Sequence, residues 1–114
     1  MNSNMFKLIF VCNDKNVEEV TIPEGVTALG CGAFYNCTSL KKVTIPEGVT
    51  EIGNDTFYGC ESLKEIVIPN SVTYIGEDAF GDCTSLKEII IPEGVTEIGD
   101  GAFPNNAKLI RKEA

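Results

Sequence analysis

A mainly β solenoid of about four coils is the fold this sequence predicts, on three observations. A segment of 23 residues recurs from Ile22, Ile45, Ile68 and Ile91, and each of these isoleucines is followed by proline. The columns that stay apolar from copy to copy have the spacing of short strands whose alternate side chains enter a core. The stretches between those columns are too short for a full helix. A unit of this length cannot bury its own apolar face, so each coil must stack on a neighbour.

The chain opens with two strand-like runs, Phe6–Cys12 and Val17–Ile22, around the turn-prone Asn13-Asp14-Lys15-Asn16. This pattern predicts an N-terminal β-hairpin cap over residues 1–21, its outer strand covering the open end of the stack. Val17-Glu18-Glu19-Val20-Thr21 aligns with Leu40-Lys41-Lys42-Val43-Thr44, so the first ladder begins there.

Through the repeats, residues 22–103, six columns are expected to point inward. They are Leu40/Leu63/Leu86/Leu109, Val20/Val43/Ile66/Ile89, Ile22/Ile45/Ile68/Ile91, Val26/Val49/Val72/Val95, Leu29/Ile52/Ile75/Ile98 and Phe34/Phe57/Phe80/Phe103. Proline ends the first strand of each coil because it has no N–H for the ladder. Val-Thr-x-Ile then makes a second brief strand, and Gly30, Gly53, Gly76 and Gly99 mark a sharp turn or a positive φ. Each following segment reads as a tight turn with at most one helical turn, carrying its phenylalanine inward. Residues 104–114 form the expected C-terminal cap, with Asn106 at the repeating cysteine position and a charged ending that discourages strand addition.

Composition narrows the function. At 114 residues there is room for one domain, and 43% apolar residues suffice for a core. A formal charge of -8 with nine basic residues argues against direct nucleic-acid binding and against anionic membranes. The longest apolar run, Leu8–Cys12, is too short to insert into a membrane. Five cysteines leave at least one thiol free or bonded to another chain. Cys37, Cys60 and Cys83 share one repeat position, which predicts a column of buried thiols acting as small hydrophobes.

The unit Leu-x-x-Val/Ile-x-Ile-Pro-x-x-Val-x-x-Ile-Gly-x-x-Ala-Phe-x-x-Cys resembles the Treponema-type, or BspA-like, leucine-rich repeat, over residues 17 to about 109. The resemblance implies a curved, sheet-lined leucine-rich-repeat solenoid used for binding. It also implies kinship with surface proteins of host-associated bacteria and some protozoa, mostly longer and exported. A chain complete as given is expected in the cytoplasm. A fragment of a longer family member is expected at the cell surface or secreted.

Nothing here points to catalysis or a cofactor. Without histidine, no Ser–His or Cys–His pair can form. Cys31 stands where other coils carry Asn54, Glu77 and Asp100; it is either a reactive or intermolecular thiol or loop drift. The recurring loop carboxylates lack a calcium-repeat pattern and read as solvated.

The candidate contact residues lie in three groups. On the outer face of the first ladder lie Thr44, Glu65, Val67, Glu88 and Ile90, of which the column Thr21/Thr44/Val67/Ile90 grows more apolar along the solenoid. Tyr35, Tyr58 and Tyr74 are interface-type aromatics on turns and the second strand. Glu47 and Glu51 belong to acidic columns that a basic partner would relieve. The resulting reading is a non-enzymatic module presenting a sheet surface and loops to a protein partner, its oligomeric state open. Two alternatives stand beside it: a small acidic intracellular antagonist of a basic nucleic-acid-facing surface, and a fragment of an exported adhesin.

Overall fold

The computed structural model describes residues 6–8 and 16–112, and every element in it is a strand. In chain order these are β1 (Phe6–Leu8), β2 (Glu19–Thr21), β3 (Val26–Leu29), β4 (Lys42–Thr44), β5 (Glu51–Ile52), β6 (Glu65–Val67), β7 (Tyr74–Ile75), β8 (Glu88–Ile91), β9 (Glu97–Ile98) and β10 (Lys108–Arg111). All pairings are parallel. The first strands of successive coils form a ladder, β2-β4-β6, continued by the pair β8-β10. The second strands form another, β1-β3-β5-β7-β9.

Register follows the repeat. Val20, Val43 and Ile66 lie opposite one another, as do Leu29, Ile52, Ile75 and Ile98. The core runs as continuous columns down the axis: Phe34, Phe57 and Phe80 are buried, as are Leu40, Leu63 and Leu86. The phenylalanine rings stack nearly parallel, with centroids 5.2 Å apart for Phe34–Phe57 and Phe57–Phe80, and 5.6 Å for Phe80–Phe103. That separation is within the favourable range for offset aromatic pairs.

The segment after each glycine contains no helix; it is a run of overlapping turns bonded to the next coil. Phe34 N–H donates to the Thr56 carbonyl, Phe57 to Ala79 and Phe80 to Ala102, at 2.7–2.8 Å. Every second residue of this segment aims its N–H toward the following coil. That alternation requires left-handed backbone at Asn36, Asp55, Asp78 and Asp82, residue types that tolerate it. Flanking the ladders, Thr50, Lys64, Thr73 and Gly76 donate in the opposite direction, to Thr27, Lys41, Thr50 and Ile52.

The glycines before these turns open them, as expected, but not through a positive φ. Gly53, Gly76 and Gly99 do not have positive φ. Instead, a Cβ at Gly53 would sit 2.9 Å from the Leu29 carbonyl oxygen, and one at Gly76 would sit 2.8 Å from the Gly53 carbonyl carbon. They are glycine because consecutive coils touch backbone to backbone there.

Both ends depart from the sequence expectation. In place of a hairpin, β1 runs parallel to β3 in the second ladder while β2 pairs with β4 in the first. The unpaired side of β3 continues a ladder, and a parallel strand satisfies it where an antiparallel β1–β2 pair would not. The rest of the expected outer strand lies outside the described residues. At the other end, β10 pairs with β8 at an offset of 20 residues, Leu109 opposite Ile89 and Ile110 opposite Ile90. The last coil is therefore shortened, and Leu109 does not continue the Leu40/Leu63/Leu86 column. With no coil stacked beyond them among the described residues, Ile98 is 43% exposed and Leu109 50%. Side chains finish this end: the Asn106 amide donates to the carbonyls of Thr84 and Leu86, and the Arg111 guanidinium to that of Val95.

The cysteine column is mixed. Cys60 and Cys83 are free and buried, as expected, but each thiol also donates to a backbone carbonyl of the preceding coil, Phe34 at 3.2 Å and Phe57 at 3.1 Å. Cys37, expected as a third buried thiol, is disulfide-bonded. It stands at the head of the column, where Val11 rather than phenylalanine lies one repeat before Phe34.

Two outcomes follow from the columns. Phe57→Ala leaves a void between two stacked rings and should cost about 3–5 kcal/mol in urea unfolding. Burial, with the Cys60 sulfur nearby, pushes the Cys83 thiol from 9.0 up to about 12. Below pH 9 its contribution is whole; above it the unfolded chain sheds a proton that the folded chain keeps, so stability falls until about 12. The urea midpoint should drop between about pH 8 and 10.5, and drop less in Cys83→Ala.

Candidate functional site

The outer face of the first ladder carries side chains that alternate with the core columns. In β4, β6 and β8, each set between a Leu-Lys step and Ile-Pro, Val43, Ile66 and Ile89 face the core while Lys42, Thr44, Glu65, Val67, Glu88 and Ile90 project outward. In register, Thr44 lies opposite Val67 and Lys42 opposite Glu65 across β4 and β6. Across β8 and β10, Ile90 lies opposite Ile110 and Glu88 opposite Lys108. Val67 is 77% exposed and Ile90 53%, unusually high for large apolar side chains on adjacent coils.

β6 and β8 are neighbours, yet no ladder pairing joins them. A cavity of about 580 Å³ opens across this junction, floored by Ile66, Val67, Ile89, Ile90 and Ile110, with Glu47, Glu88 and Lys112 at its rim. A second of about 570 Å³ adjoins it along β4 and β6, between Lys42, Thr44, Lys64, Glu65 and Val67. The two share Val67 and form one groove. Its rim holds three carboxylates, Glu47, Glu65 and Glu88, against three ammonium groups, Lys42, Lys64 and Lys112, so it is close to neutral. Such a groove offers apolar surface for burial rather than a charged face.

Six sequence candidates thus meet in one place: Thr44, Glu47, Glu65, Val67, Glu88 and Ile90. The others do not. Tyr35 and Tyr58 stack on each other on the turn side, centroids 5.5 Å apart. Tyr74 and Glu51 lie opposite each other on the second ladder. Ile110 and Lys112 were missed, because a strict 23-residue alignment puts them in the wrong columns. The matching pattern of Lys-Leu-Ile-Arg with Glu-Ile-Ile-Ile could have found them, had a gap been allowed in the last coil.

The BspA type leucine-rich repeat region matches residues 7–112 in six copies. The chain belongs to the BspA-type leucine-rich repeats. Members of this family are generally protein-interaction modules, typically without enzymatic activity and often at the surface or secreted. Among solved structures, a leucine-rich repeat protein of Bacteroides ovatus is 38% identical with a TM-score of 0.81, over 94% of this chain and 29% of its own. A leucine-rich cell surface protein of Faecalibacterium prausnitzii is 41% identical with a TM-score of 0.74, over 84% and 27%. The T. pallidum leucine-rich repeat protein is 32% identical with a TM-score of 0.70, over 87% and 53%. The chain therefore spans less than a third of the first two. No curated protein gives a significant match. No helix among the described residues is long and apolar enough to cross a membrane.

One titration reports on the turn-side tyrosines. The Tyr58 hydroxyl donates to Asp82 Oδ2 at 3.1 Å, and this bond, with the charge on Asp82, raises its pKa above 10.0. Ionising the phenol would set two negative groups together. In an ultraviolet titration Asp82→Asn should bring Tyr58 back toward its ordinary value.

Proposed function

We propose that the chain is a non-enzymatic protein-binding module that grips its partner in the groove of the first ladder. The observation that supports it is the run of exposed Val67 and Ile90 with Ile110, set in a cavity wide enough for side chains of another protein. On an ordinary exposed strand, polar residues alternate with the core-facing ones. Here the outward positions turn apolar at the coils where the first ladder parts.

The acidic-antagonist reading needs a charged contact face, which the carboxylate-rich turn side would supply and this groove does not. On location, the disulfide at Cys37 is the kind of bond that persists in oxidising compartments. Together with the cell-surface description of the F. prausnitzii relative, it favours a piece of an exported surface protein over a cytoplasmic one.

The test is affinity capture from extracts across a salt series, comparing the native chain with Val67→Asp combined with Ile90→Asp. Both positions are exposed, so circular dichroism should be unchanged. A partner held here survives moderate salt, and its affinity falls at least about tenfold per site in the variant. Equal capture by both proteins would rule out the groove.

A further inference from the structure

Charge is segregated across the molecule. The stretches 50–61, 73–84 and 96–105, which form the later strands of the second ladder and their turns, carry Glu51, Asp55, Glu61, Glu77, Asp78, Asp82, Glu97 and Asp100 and not one lysine or arginine; the second ladder's one lysine is Lys7 on β1. The lysines at 41, 42, 64, 87, 108 and 112 lie on or beside the first ladder, and Arg111 ends its last strand. The net negative charge of the repeats is thus concentrated on the side away from the groove.

On that same side Tyr35 and Tyr58 stack at an interplanar angle of 14°. In the next coil the equivalent residue is Gly81, and a Cβ there would come within 2.8 Å of the Tyr58 ring. Glycine lets the second ring lie flat on the backbone, next to the Asp82 carboxylate that accepts its hydroxyl hydrogen. Tyr35, at the outer end, is 47% exposed. The result is an aromatic shelf beside a carboxylate-rich surface, and the Asp82 hydrogen bond and charge, with a smaller part from Asp78, raise the pKa of Tyr58.

We propose that this shelf is a second contact surface, taking an arginine-bearing basic segment of a partner protein. A guanidinium is flat and stacks on a tyrosine face, here the outer face of Tyr35, whereas an ammonium is a point charge that stacks less well. The eight carboxylates supply the long-range attraction; the Tyr35 ring, held in place by Tyr58, supplies the selection. The surface is independent of the apolar groove.

The experiment uses a fluorescently labelled hexa-arginine peptide, read by anisotropy at low salt, beside hexalysine and a neutral glycine–serine peptide. Hexa-arginine should bind more tightly than hexalysine, and the neutral peptide should not bind. Tyr35→Leu and Tyr58→Leu should each weaken arginine binding about two- to fivefold and together erase the preference over lysine. Tyr35→Phe, which keeps the ring face, should retain it, and Asp82→Asn should weaken both cationic peptides. Val67→Asp should change nothing, so this surface and the groove fail separately. Equal binding of the two cationic peptides, unaffected by loss of the rings, would reduce the shelf to unspecific attraction and overturn the proposal. Absence of binding would do the same.

Discussion

Contact between equivalent residues one repeat apart is what everything else in this molecule rests on. Phenylalanine meets phenylalanine, isoleucine meets isoleucine, and backbone N–H groups meet carbonyls 22 to 24 residues away. No coil has a core of its own. Stability is therefore a sum over neighbouring pairs, and a fault in one coil is felt by the coils on either side. The same constraint explains details that look arbitrary in a single copy, such as glycine where backbones touch, or a cysteine whose thiol reaches the carbonyl below.

Because inward positions are held to this rule, variation from coil to coil is pushed outward. On the first ladder it runs from Thr44 to Val67 and Ile90, and makes a near-neutral apolar groove. On the turns it collects carboxylates and a pair of stacked tyrosines. The two sides present different chemistry on one frame, so a formal charge of -8 describes neither of them.

The repeat period, the strand columns and the membership in the BspA-type leucine-rich repeats were all legible in the sequence, because stacking writes itself as identity at fixed spacing. Val67 and Ile90 were legible for the same reason, as apolar residues in an outward column. What could not be read lies where the period breaks. β1 joins the second ladder at an offset of 20 to 21 residues with a bulge between Phe6 and Lys7, and β10 joins the first after a shortened coil. Periodicity carries no information about such offsets, so Leu109 was assigned to the wrong column and Ile110 was missed. The reason for Gly53 and Gly76 stayed open in the sequence, which shows that a side chain is excluded, but not whether φ or a neighbour excludes it. The parting of β6 from β8 leaves no mark in the residues at all.

The opposed directions of hydrogen bonding between coils bear on how such proteins change length. A helix sums its peptide dipoles and builds charge at its ends as it grows. Here the turn segments point their donors forward while the residues flanking the ladders point theirs back, so each added coil brings two contributions that largely offset. Extending or trimming the array leaves the electrostatics of its tips almost untouched. Gene duplication and loss can then act on whole coils freely, as the spread in length among the solved relatives illustrates.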